Sequence, residues 1–133
     1  MITIEEISVI LTQPGHSPLA IVKVETSEPG LHGLGCATFA RQIYAVEAAI
    51  VHRLKPLLVG RDVSRIGEIW HLASFDGYYR HGPVLNNAIS GIDMALWDIK
   101  GKVTGLPPVS YTHLRAHETD SYLVCRLLLE KKK

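Results

Sequence analysis

Two cysteines, Cys36 and Cys125, in 133 residues are too few for a disulfide framework or a cysteine-built zinc site. The chain also lacks any apolar run near the roughly 20 residues that a membrane crossing needs. Its opening, Met1-Ile2-Thr3-Ile4-Glu5-Glu6, has no basic stretch leading into an apolar one, as a secretion signal would. A cytoplasmic location is therefore the expectation. Net charge is almost absent at +1, which gives no electrostatic case for a nucleic acid or an anionic membrane as partner. Chemical motifs are missing too. Gly30, Gly33 and Gly35 lie in and around a strand and open no helix, so they form no phosphate loop. Asp93 and Asp98 stand about 140° apart around a helix, and Glu5 and Glu6 point to opposite faces of a strand. Neither pair can converge for acid–base work. No residue of the chain is assigned a catalytic role.

What remains is an ordinary globular composition, 47% hydrophobic and 20% charged, in a length that fits one domain. Residues 2–11 alternate β-branched and polar side chains, as a half-buried strand does. A loop with two prolines and a glycine follows at 12–18, then a second strand at 19–26. Ser27-Glu28-Pro29-Gly30 has the residue order of a type II turn, and 31–38 is glycine-rich but apolar enough for a third strand. Such short connections predict an antiparallel meander. Helical spacing runs through Ile43, Val46, Ile50 and Leu54 in 41–58. A second helix passes through Ile69, Trp70 and Ala73, with Asp62 or Ser64 as N-cap. The polar-aromatic run Phe75-Asp76-Gly77-Tyr78-Tyr79-Arg80-His81 then leads into the most regular stretch of the chain.

In that stretch Leu85, Ala88, Ile89, Ile92, Leu96, Ile99 and Val103 recur every three or four residues, one face of a long helix. Pro83 is tolerated in the first turn, where amides have no internal acceptor. Gly105 and Pro107 supply the stop. Ala88, Gly91 and Ala95 form a row of small residues that lets another backbone come close. Three strands followed by three helices make an α+β fold, a meander followed by a three-helix bundle.

The run Ser90-Gly91-Ile92-Asp93-Met94-Ala95-Leu96-Trp97-Asp98-Ile99-Lys100-Gly101-Lys102, with Gly105-Leu106-Pro107 after it, resembles the end of the capping domain of the enolase superfamily. The nearest branch is that of mandelate racemase and muconate lactonizing enzyme, in particular its acid-sugar dehydratases of galactonate and mannonate type. The resemblance extends back to Met1 and defines a domain at 1–107. It implies a capping domain over a (β/α) barrel that this chain lacks. In the parent, magnesium held by barrel carboxylates would bind the substrate carboxylate. A barrel base would take the proton alpha to it, and an acid would release the 3-hydroxyl as water. The parent is expected to be a homo-oligomer acting on a sugar acid. The fragment by itself is expected to be inactive, with no metal ligands of its own. Two loops matching 12–18 and 37–42 would set specificity, which puts His16 and Arg41 forward, with Tyr79 and His81 from the 75–81 connection. Bland roles in solvent or packing compete for each. One departure is informative. Mannonate-type members carry Asn shortly after the run matching Gly33-Leu34-Gly35-Cys36-Ala37-Thr38, whereas Ala40 stands here and has no amide to hydrogen-bond. A racemase or cycloisomerase cap of the same superfamily, or a non-enzymatic binding module, are the alternative readings.

Beyond Pro107 the pattern stops. Residues 1–107 hold nine Lys/Arg and ten Asp/Glu, a net −1, while 108–133 hold five and three, a net +2. The segment 109–133, VSYTHLRAHETDSYLVCRLLLEKKK, resembles the in-frame translation of a sequencing-library adapter ending in a run of adenines. It is read as a non-native tail, disordered or artefactual. His113, His117 and Glu118 have zinc-ligand spacing, but belong to that tail and are given no metal.

Overall fold

The computed structural model describes residues 1–107 and Ser110; the histidine pair at 113 and 117 and the rest of the tail lie outside the described residues. β1 (Ile4–Thr12), β2 (Leu19–Thr26) and β3 (His32–Cys36) form an antiparallel sheet in the order β1-β2-β3. The turn into β3 uses the predicted Pro-Gly pair but lies one residue further on, at 28–31. Leu31 N–H donates to the Glu28 carbonyl at 3.1 Å, and Gly30 takes the positive φ of 83° that a type II turn asks of its third residue. Thr26 closes the same corner, its hydroxyl donating to the Leu31 carbonyl at 2.8 Å. That bond satisfies the one polar residue buried as a whole among the described residues.

Ile7, Val22 and Val24 point inward, where three further chain segments cover the sheet. α1 (Ile43–Ala48) continues without interruption into a π-helical segment, Ala49–Leu54, and then α2 (Lys55–Leu58). The sequence spacing reads this rod as one helix, and Val46, Ile50, Leu54 and Leu58 are indeed its fully buried ridge. The widened turn has a local cause. Pro56 cannot donate to residue 52, and its ring would press on that carbonyl in a regular α-turn. α3 (Ile66–Phe75) and α4 (Pro83–Thr104) complete the bundle.

α4 matches its expected boundaries, ending on Gly105 with φ 67° and a return bond from Leu106 N–H to the Gly101 carbonyl at 3.1 Å. It lies directly across β3. A Cβ on Gly35 would sit 2.9 Å from the Gly91 carbonyl carbon, and one on Gly33 2.8 Å from that of Ala95. The glycines of β3 and the small row of α4 therefore bring two backbones into contact, and no side chain could be inserted between them.

The predicted cap of α3 needs correction. Its N-cap is Arg65 and no side chain closes it. Asp62 instead accepts from Ser64 N–H at 2.9 Å in a turn upstream of the helix. Asp62 also bridges to Thr3 of the N-terminal strand, which holds the backbone away from the helix start. Ser64, its main-chain N–H first and then its hydroxyl, holds the Asp62 carboxyl below the usual range.

Candidate functional site

The register of the sheet decides which loops share an end of the molecule. Thr12 pairs with Leu19, so residues 13–18 project beyond one end of β1 and β2. Ile21 pairs with Cys36, and Ala37 N–H donates to the Ala20 carbonyl at 2.9 Å. The segment 37–42 therefore leaves the sheet at the same end. Thr38 secures it there, its hydroxyl accepting from Ala20 N–H at 3.1 Å. Helix α4 runs so that Gly91 meets Ala37 while Ala95 meets Gly33. Its N-terminus, and the loop 76–82 that feeds it, consequently face this end as well. The opposite end collects Met1, the 59–65 connection and the last turn of α4 around a groove of about 870 Å³ and a smaller one of about 370 Å³. His16, Arg41, Tyr79 and His81 do not line the larger groove.

At the loop end, His16 sits exposed in 13–18, and Arg41 exposed in the single 3-10 turn Ala40–Gln42. Tyr79 is 85% exposed and stacks edge-on against Tyr78 at 5.3 Å between ring centroids. His81 is exposed and has φ of 71°, a left-handed backbone costly for a residue with a Cβ. It lines a cleft of about 410 Å³ with Trp70, Ser74, Asn86, Ser90 and Asp93. His16, Arg41, Tyr79 and His81 are therefore brought to one end. Among the described residues, no hydrogen bond or ion pair joins any two of them.

Two residues that the sequence reading passed over matter here. Thr38 anchors the 37–42 segment, but a threonine ending a strand carries no distinguishing signal. Arg53, on the π-helical segment, packs against Gly77 at the base of loop 76–82. A Cβ on Gly77 would lie 3.1 Å from the Arg53 Cζ and closer still to Nη2. That nitrogen is buried and has no hydrogen-bond partner among the described residues. A polar residue on the flank of a helical pattern gives no hint of such burial.

Among the described residues, no three His, Cys, Asp or Glu side chains gather as a metal site. The carboxylates sit in structural pairs instead. Asp98 accepts from Leu34 N–H at 3.0 Å and from Lys102 Nζ at 2.8 Å, while Lys102 also reaches the His32 carbonyl at 2.7 Å. Partial burial pushes the Asp98 carboxyl up, but the bonds from Lys102 and Leu34 outweigh it and leave the group below its usual range. Glu6 pairs with Lys55, and Glu25 with Lys23 at 2.5 Å.

Residues 3–110 match the family model of the mandelate racemase/muconate lactonizing enzyme N-terminal domain. The chain belongs to that family. Its relatives include the D-galactonate dehydratase family member RspA of Pantoea ananatis, 61% identical over 104 residues, which are 78% of this chain and 25% of that protein. A D-galactonate dehydratase family member of Enterococcus gallinarum is 54% identical over 106 residues, 80% of this chain and 26% of its own length. Among solved structures, an enolase from Pantoea ananatis with bound D-gluconate and magnesium superposes with a TM-score of 0.82 at 57% identity. That match covers 84% of this chain and 27% of the other. The chain thus spans about a quarter of the length of the relatives it matches. The MR/MLE N-terminal domain is the capping domain expected from the Ser90–Lys102 run, and the meander-plus-bundle architecture agrees with it.

Proposed function

We propose that residues 1–107 are the capping domain of a magnesium-dependent sugar-acid dehydratase of the galactonate type. In this reading the catalytic groups and the metal ligands belong to a barrel. The described residues of this chain hold no set that fits magnesium, and no proton transfer is routed through them. Their work is selection. His16 and Arg41 offer a hydrogen-bonding ring and a fixed positive charge to a hydroxylated carboxylate. Tyr79 and His81 close the site from the other side and exclude water. The observation that carries this is the sheet register, which sends loops 13–18 and 37–42 to the end where α4 begins. The parent is read as a cytoplasmic homo-oligomer, and the tail 108–133 as no part of it.

The test begins with the source DNA, amplified and sequenced across codon 107 without library adapters. The frame is expected to continue into barrel strands ending in Asp and Glu. The encoded protein, assayed with magnesium on galactonate, gluconate and mannonate, should release water and form a 2-keto-3-deoxy acid. A genomic frame that closes with the 109–133 codons, or a parent that turns over no sugar acid, overturns the proposal.

A further inference from the structure

Arg53 is placed by an unusual piece of backbone. The π-helical segment Ala49–Leu54 shifts its side chain out of the regular α-helical register and under the loop that joins α3 to α4. The guanidinium lies against the Cα of Gly77, where no larger residue fits without displacing it. Its Nη2 is enclosed yet donates to nothing among the described residues. A buried guanidinium donor without an acceptor is a cost that folded proteins rarely carry. A nearby acceptor that moves removes that cost.

Loop 76–82 supplies one candidate. The Gly77 carbonyl is already engaged, accepting from Arg80 Nε at 3.3 Å, and the Arg80 guanidinium is held 4.9 Å above the Phe75 ring. The sole carboxylate of the loop is Asp76, adjacent in the chain to the glycine that Arg53 touches, and its side chain faces solvent. Beyond it the loop carries the exposed Tyr78 and Tyr79. It then ends in two successive positive-φ residues, His81 at 71°, strained for a residue with a Cβ, and Gly82 at 103°, which glycine adopts freely, a pair suited to a hinge.

We infer that Arg53 is the positioning residue of loop 76–82, and that the loop closes by swinging the Asp76 carboxylate onto the unused Nη2 donor. The open loop leaves Arg53 unsatisfied, and the closed loop exchanges that deficit for a charge-assisted bond. Closure then sets where Tyr79 and His81 stand over the loop end. What the loop serves rests on the dehydratase reading, but its movement does not.

The experiment is amide hydrogen exchange on the full 133-residue chain, comparing amides 77–81 with those of α4 at Ile92 and Ala95. Chymotryptic cleavage after Tyr78 and Tyr79 gives a second readout. Arg53→Met should speed loop exchange by about tenfold relative to α4. Asp76→Asn, an exposed change that spares the core, should do the same. The double variant should add nothing further, because both remove one bond. Arg53→Lys should restore part of the protection. Additive effects, loop exchange that moves only in step with α4, or an unchanged loop in Asp76→Asn each overturn the latch. In the parent enzyme both variants should raise KM more than they lower kcat. Loss of the latch with sugar-acid turnover intact, or the converse, separates failure of this inference from failure of the functional reading.

Discussion

At Gly35 an added methyl group would press on the Gly91 backbone, which cannot rotate away as a side chain can. Overpacking of this kind costs on the order of 1–3 kcal/mol, and Gly35→Ala is expected to lower the urea midpoint accordingly. Gly67, exposed in α3 with nothing within 4 Å of its missing Cβ, is the control. Gly67→Ala should stabilise by about 0.5 kcal/mol through the unfolded state. The two changes are chemically identical, so opposite signs in one urea titration isolate the role of contact. Ala40 bears on the proposed function instead. It is exposed where the 3-10 turn begins, at the end that gathers loops 13–18, 37–42 and 76–82. Ala40→Asn in the parent should raise kcat/KM for mannonate relative to galactonate by at least about tenfold, one good hydrogen bond's worth of discrimination. Competition between the two acids in one assay reads it directly.

Among the elements, β3 and α4 depend on each other at more than their glycines. Asp98 and Lys102 take up the Leu34 N–H and the His32 carbonyl on the outer edge of the sheet, groups that would otherwise be open to pairing with another chain. The Asp98 carboxyl titrates below its usual range when folded, so its ionised form adds stability above about pH 4, the unfolded value. That contribution is lost as pH falls through the depressed folded value. Asp98→Asn should therefore be less stable than the parent chain at pH 7, with the gap closing on acidification below about pH 4 in paired urea titrations. Much of this architecture was legible beforehand. Seven apolar residues at helical spacing with Pro83 and Gly105 at the ends define α4 in any context, and Pro29-Gly30 defines its turn. The π-helical segment was not, because over a single turn its periodicity is indistinguishable from that of an α-helix. Asp62 was misread as a cap because its pairing with Thr3 depends on residues nearly sixty positions away. Of the site, family resemblance put forward His16 and Arg41 through their loops, and the polar-aromatic composition of 75–81 put forward Tyr79 and His81. The Arg53–Gly77 contact joins two elements that no local pattern connects.

For the molecule as a whole, the described residues gather one core, in which Ile4, Ile7, Val22, Val24, Leu54, Leu58, Leu96 and Ile99 are buried together. Removing 108–133 is expected to leave the thermal midpoint unchanged within about 2 °C, less than the shift that 1 kcal/mol produces in a domain this size. Calorimetry on the two lengths checks it; a clear drop would make the tail part of the fold. The outer face of the sheet is another matter, for Ile10 and Leu34 are 47% and 45% exposed there.

The close backbone contact also divides the labour along α4. Its C-terminal half, with Ala95, Asp98, Ile99 and Lys102, holds β3 by backbone contact and hydrogen bonds, while its first turns bury Leu85, Ala88 and Ile89 in the core and receive the loop 76–82. On the proposed function, the selecting loops gather at the end where this rod begins. On that reading the exposed parts of loops 13–18, 37–42 and 76–82 are free to change what is accepted, while anchors such as Ala37 and Thr38 stay fixed with the sheet.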